Sequence, residues 1–202
     1  LAHITILACM FFGGVSGSAV AEISSIGAMM IPTMEKGGYK RPTATSIALA
    51  SCVMGPIIPP SIPMIIFAHT AGLVSIAALF LAGAVPGILI GIGLMIWAYF
   101  HARKHIPPVK MLQLSFREKV HRVVDGLAGL FTIFIILGGI ISGFFTATEA
   151  GAVAALYAII LCCGVYRETK WRELPKLLFE CCQVNAVVLF LVATSSVFTW
   201  VL

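Results

Sequence analysis

Glycines, prolines and hydroxyls crowd into two stretches of this chain, and both stretches lie inside otherwise apolar sequence. The first is Gly13-Gly14-Val15-Ser16-Gly17-Ser18-Ala19-Val20-Ala21-Glu22; the second is Gly55-Pro56-Ile57-Ile58-Pro59-Pro60-Ser61-Ile62-Pro63. What these residues offer is oxygen: carbonyls freed where a helix is interrupted, with the hydroxyls of Ser16, Ser18 and Ser61. Together they suit a small cage for a hard monovalent cation, whereas the amide ends and glycine N–H groups of the same interruptions suit an anion. That is binding chemistry, and no enzymatic step is expected.

Other ionisable side chains in apolar surroundings are few. A charge at mid-bilayer costs about 2.5–3.5 kcal/mol on insertion scales, so each should be near an end, neutralised or functional. Thr146 with Glu149 three residues on is a capping-box pattern, which makes Glu149 a helix-start residue. Glu22 has two readings: it caps the second limb of the first stretch, or it faces a cation or substrate path. His3 and His69 are lone histidines in apolar runs and read as packed, hydrogen-bonded imidazoles ahead of proton relays. The six cysteines show no CxxC pattern and read as small apolar packing residues.

Composition fixes the solvent in which these residues must be held. Of the 202 residues, 60% are hydrophobic and 10% charged, against just under half and about a quarter in soluble domains. A soluble globular protein is excluded, and an all-α membrane protein is expected. The formal charge of +5 comes from thirteen Lys and Arg residues in three clusters: Lys36, Lys40 and Arg41; Arg103, Lys104, Lys110, Arg117, Lys119 and Arg122; Arg167, Lys170, Arg172 and Lys176. Short Lys/Arg-rich loops stay cytoplasmic, so the charge reports topology and no nucleic-acid partner. All three clusters then share one side of the membrane, separated by even numbers of crossings. This divides the chain into 1–34, 35–73, 74–100, a basic interfacial linker 101–125, two crossings within 126–166, a second basic linker 167–183, and 184–202. In Met111 to Val124 and in Trp171 to Cys182 apolar residues recur at helical spacing between basic ones, as in helices lying at the interface. Gly83, Gly87 and Gly91 fall on one face of the long 74–100 segment and permit close helix contact. The apolar, unflanked ends are those expected of a fragment.

Both chemical stretches interrupt a span. In 1–34, two limbs of about half a crossing flank the glycine-rich break, which favours a re-entrant hairpin entering and leaving from the cytoplasm. In 35–73, four prolines between Pro56 and Pro63 remove backbone donors, so no helix survives the strip 55–63. Two half-helices, Pro42 to Met54 and Ile62 to Leu73, should face each other across it. Backbone freed at this depth is tolerable only where it is buried against protein or lines a site, and paired interruptions of this kind mark the binding site of a secondary transporter.

At these breaks the sequence resembles a known family. The blocks Phe12-Gly13-Gly14-Val15-Ser16-Gly17-Ser18-Ala19-Val20-Ala21-Glu22, Gly55-Pro56-Ile57-Ile58-Pro59-Pro60-Ser61-Ile62-Pro63-Met64 and Phe145-Thr146-Ala147-Thr148-Glu149-Ala150 are similar, in order along the whole chain, to the large membrane subunit of TRAP transporters of the DctM type. Glu22 stands where many relatives carry Asp, and Ala147 where many carry Pro. The resemblance implies an inverted-repeat elevator, a sodium-driven symporter of the bacterial inner membrane. Such a carrier takes small organic acids from a periplasmic binding protein and pairs with a small membrane subunit; its basic loops are cytoplasmic, and it has no cofactor beyond the coupling ion. It further implies that Ser16, Ser18, Gly55 and Pro59 supply oxygens to a sodium site, and that Gly17, Ser18, Pro60 and Ser61 form one half of a substrate site. A proton-coupled carrier using Glu22 or His69, and a channel whose Gly/Pro strip is a filter, are the competing functions.

Overall fold

The computed structural model describes residues 1–72, 74–105, 116–167 and 169–201 and, within these, all side chains except those of 105, 116–125, 198, 199 and 201. Among the described residues the chain is helical with no strand. Two compact units divide it, Leu1–Ala155 and Leu156–Leu202.

The first unit opens with a helical hairpin. Helix α1 (Ala2–Ser16) ends at Gly17, whose φ of 58° is left-handed and whose N–H donates to the Gly13 carbonyl at 2.9 Å. Only glycine adopts that conformation cheaply, and it is the usual way to close a helix. Ser18 then caps α2 (Ala19–Glu22), accepting from the Ala21 N–H at 3.4 Å. The chain continues through a π-helical turn (Ile23–Gly27) into α3 (Ala28–Lys36), which accommodates Pro32. The limbs are antiparallel: Thr5 Oγ1 donates to the sulfur of Met34 at 3.6 Å, and Gly37 lies against the Leu1 side chain. The reversal takes only Gly17 and Ser18. Gly13 and Gly14, which look equally able to turn the chain, stay helical because their role is close approach to the second break.

The proline strip ends α4 (Arg41–Cys52), and α5 (Ile62–Ala71) begins beyond it with Pro63 in its first turn. These limits lie within two residues of the half-helices expected from the prolines; Leu73 lies outside the described residues. Between the two helices the strip satisfies itself locally. The Met54 carbonyl accepts from the amides of Ile57 and Ile58 at 2.9 and 2.8 Å, and Ser61 Oγ donates to the Pro56 carbonyl at 2.6 Å. The Pro59–Pro60 peptide is cis.

Helix α6 (Ile76–His105) is the bed on which the proline strip and α1 rest. Its glycine stripe meets them in turn: Gly83 lies against the Ile57 carbonyl and Met64, Gly87 against Ile58, and Gly91 against Met10. A Cβ at Gly87 would stand 2.5 Å from Ile58 Cγ1, whereas one at Gly93 would meet nothing within 4 Å. Gly87→Val is therefore expected to destabilise the protein by about 1–3 kcal/mol through overpacking, with Gly93→Ala neutral. Thermal unfolding of the two purified variants checks the contrast.

Helix α7 (Phe116–Ile141) packs on α1, with Ile133 against Gly14, and on α6, where Phe80, Ile140 and Ala150 form a second buried cluster. Part of the first expected interfacial segment, 111–115, lies outside the described residues; 116–124 are the opening turns of α7, continuous with 126–141. The capping box is present at α8 (Ala147–Ile159). The Thr146 N–H and Oγ1 both donate to Glu149 Oε2, at 2.8 and 2.9 Å, and the Glu149 N–H donates back to Thr146 Oγ1 at 3.3 Å.

In the second unit a π-helical turn (Ile160–Val165) precedes α9 (Leu174–Val201), in which the end of the basic stretch, with Lys176, and the apolar one form a single helix. Leu189, Phe190 and Leu191 on α9 are exposed, as suits side chains that meet lipid. Among the described residues three stretches are long and apolar enough to cross a membrane, Ile76–Lys104, Ala147–Val165 and Leu174–Val197, each covering most or all of about 30 Å of hydrocarbon at 1.5 Å per residue. The protein is an all-α membrane protein.

Candidate functional site

The two breaks meet each other, and they meet end to end in a sorted way. On one side lie the carboxyl ends of α1 and α4. A Cβ on Gly13 would stand 2.9 Å from Gly55 Cα and 3.1 Å from Glu22 Oε1, and a Cβ on Gly55 would fall on the Glu22 carboxylate itself. Two helix ends with negative partial charge thus close on a buried acid. On the other side lie the amino ends of α2 and α5. A Cβ on Gly17 would stand 2.8 Å from the Ile62 amide nitrogen, 3.0 Å from Ser61 Cα and 3.2 Å from the Pro60 carbonyl oxygen. Gly17 is required twice over, by its left-handed φ and by this approach. The meeting of the two carboxyl ends is the carbonyl pole of the site, and the meeting of the two amino ends, where the Pro60 carbonyl also faces Gly17, is its amide pole.

Glu22 is fully buried. Its Oε1 accepts from Ser16 Oγ at 3.5 Å, a long contact, and Oε2 has no hydrogen-bond partner among the described residues. Carboxylates this deep are ordinarily satisfied, and a bare one is stabilised by a proton or a cation. Cys9 on α1 and Cys52 on α4 flank it, their sulfurs 3.7 Å apart and, with a carboxylate oxygen of Glu22, all within 4.8 Å of one another.

Of the residues singled out in the sequence, Gly17, Pro60 and Ser61 are brought into contact, and Ser16 and Gly55 are joined through Glu22. Ser18 lies half-buried at the reversal; its amide donates to Ser16 Oγ at 3.4 Å while its own hydroxyl caps α2. The Pro59 carbonyl faces Gly14, 3.3 Å from where a Cβ would stand. The hydroxyl of Ser61 is turned inward to Pro56. His69 is exposed, remote in character from a packed core imidazole. What sequence reasoning missed is that Cys9 and Cys52 meet Glu22, which it had singled out either as a cap or as facing a cation or substrate path. Glu22 does not cap α2, a task that falls to Ser18, and the only available signal was an acid placed six residues after a serine in apolar sequence.

The family model for the DctM component of tripartite ATP-independent periplasmic transporters matches residues 1–202. The chain belongs to the DctM family. It is 40% identical over 203 residues to the C4-dicarboxylate TRAP transporter large permease protein DctM of Pseudomonas aeruginosa, covering 100% of this chain and 47% of that protein. It is 39% identical to the 2,3-diketo-L-gulonate TRAP transporter large permease protein YiaN of Escherichia coli over 203 residues, again 100% and 47%. The sialic acid TRAP transporter large permease protein SiaM of Vibrio cholerae is 39% identical over 201 residues, with 100% of this chain and 47% of that protein covered. The chain spans about half the length of the curated relatives it matches. Membership in the DctM family places it among the components of transporters.

Proposed function

We propose that this chain contributes to the large membrane subunit of a sodium-coupled symporter for small organic acids, and that the meeting of the two breaks is its coupling and substrate site. The observation that carries this is the sorting of helix ends. The carbonyl pole around Gly13, Gly55 and Glu22 suits a sodium ion, with Ser16, Ser18, Gly55 and Pro59 as oxygen donors. The amide pole around Gly17 and Ile62 suits a carboxylate, with Gly17, Ser18, Pro60 and Ser61 lining it. No Lys or Arg stands in either break, so anion recognition rests on amides and hydroxyls. The relatives named above are permeases for a C4-dicarboxylate, a diketogulonate and a sialic acid, substrates that share a carboxylate. By the same likeness the hairpin is re-entrant and serves as an inner gate. The protein works as an inverted-repeat elevator in the inner membrane with a small membrane subunit and a periplasmic binding protein, and its basic loops are cytoplasmic.

The test is uptake by the protein that carries this chain, reconstituted with its partner proteins, under an imposed sodium gradient. Ser18→Ala should raise the sodium concentration for half-maximal uptake; uptake indifferent to sodium overturns the reading. For topology, cysteines introduced at positions 38 and 170 in a cysteine-free background should resist an impermeant thiol reagent applied from outside, and labelling of either contradicts the cytoplasmic placement. A second reading has its own observation. Oε2 of buried Glu22, which has no hydrogen-bond partner among the described residues, is a natural proton carrier, and on that reading protons take the place of sodium as the coupling ion.

A further inference from the structure

The trio beside the carbonyl pole has a chemistry that sodium does not use. Sodium, calcium and magnesium take oxygen ligands, whereas thiolates select zinc and softer ions. Two sulfurs bound to one tetrahedral zinc, at about 2.3 Å each, lie about 3.8 Å apart; Cys9 and Cys52 hold theirs at 3.7 Å. A sulfur and a carboxylate oxygen on the same ion lie about 3.6 Å apart, and the trio's ligand atoms all fall within 4.8 Å of one another. A shift of the Glu22 side chain by about 1 Å closes that difference. Simple packing accounts for two buried cysteines, yet it leaves unexplained why a fully buried carboxylate with an open oxygen is set against them.

We propose that Cys9, Cys52 and Glu22 form a binding site for a single thiophilic divalent cation of the zinc and cadmium class. Binding displaces to solvent one proton from each thiol and the proton that the buried Glu22 carboxyl holds in the absence of a cation, so a dication held by two thiolates and one carboxylate carries a single net negative charge. A fourth ligand comes from water or from Oε2, which has no other partner among the described residues. The ligands stand on α1, α2 and α4, so an ion there fastens both limbs of the hairpin to the half-helix opposite. Arrest of uptake by such an ion is the consequence, and that consequence alone rests on the transport reading; the binding does not.

The experiment uses the protein that carries this chain, solubilised, with every cysteine except Cys9 and Cys52 replaced by serine. Cadmium chloride is titrated in, and the ultraviolet thiolate-to-cadmium charge-transfer band is followed together with the unfolding temperature. The expected result is saturation at one cadmium per chain, competition by zinc but not by calcium, and a raised unfolding temperature. Cys9→Ser and Cys52→Ser should each weaken binding on the order of tenfold or more, and Glu22→Gln about tenfold with the band retained. If serine at either position prevents folding, the decision falls on the two-cysteine protein: a saturable band competed by zinc supports the site. Absence of the band there overturns it, as does binding unchanged in either serine variant. Neither outcome depends on transport.

Discussion

Gly55→Ala is expected to abolish sodium-driven uptake and to lower the unfolding temperature of the protein that carries this chain. The added methyl would occupy the position of the Glu22 carboxylate, which is fully buried and is bounded on its other side by Gly13. Overpacking of a closed site costs about 1–3 kcal/mol, and displacing the acid also removes the group around which the two carboxyl-terminal helix ends close. Gly17→Ala should act in the same direction from the amide pole, because a left-handed φ of 58° and an amide nitrogen 2.8 Å from the new Cβ both oppose it. Gly93→Ala, facing open space, is the control. Uptake into proteoliposomes and thermal unfolding measure both effects. Wild-type uptake by Gly55→Ala would mean that the breaks separate during function, so that their contact is not the site.

Glu22→Gln discriminates between the two coupling ions. The amide keeps the shape of the side chain and can still accept from Ser16 Oγ, which contacts Oε1 at 3.5 Å in the native protein. What it loses is the charge. An interaction with a charged group is worth about 1.5–3 kcal/mol, or roughly a ten- to hundredfold rise in the sodium needed for half-maximal uptake if the carboxylate helps hold the ion. If Glu22 carries a proton instead, the variant should transport without responding to a proton gradient while its sodium dependence, if any, is unmoved. Initial rates at varied sodium under clamped pH, repeated with a pH step in fixed sodium, give the two outcomes separately.

Much of this architecture was legible because prolines and caps act locally. Pro56, Pro59, Pro60 and Pro63 cannot continue a helix, so the ends of α4 and α5 followed from their positions alone. Thr146 and Glu149 satisfy each other across three residues, which spacing announces. Gly83, Gly87 and Gly91 declared a packing face, although that it receives the proline strip and α1 could not be read from one segment. Other features were hidden for physical reasons. Gly13, Gly14 and Gly17 look alike as letters, and only the sign of φ and the approach of Gly55 separate the glycine that turns from those that pack. Polarity near Asp125 and Gly126 suggested a boundary, but the backbone of α7 continues through it, since a change of solvent does not require a change of hydrogen bonding. The candidate site's centre was the least visible part. Cys9 and Cys52 lie 43 residues apart, and their meeting on Glu22 belongs to the packing of the hairpin on α4, which no spacing rule encodes.

The most direct measurement is the unfolding temperature of the purified protein in sodium chloride against potassium chloride and choline chloride at equal ionic strength, for the wild type and for Ser16→Ala/Ser18→Ala. A ligand that binds only the folded state stabilises it by about 1.4 kcal/mol at a concentration ten times its Kd, so the wild type should show a saturable, sodium-specific rise that the double variant loses or shifts to much higher sodium. An equal response to all three salts, or a sodium response untouched in the double variant, contradicts a coupling site at the meeting of the two breaks.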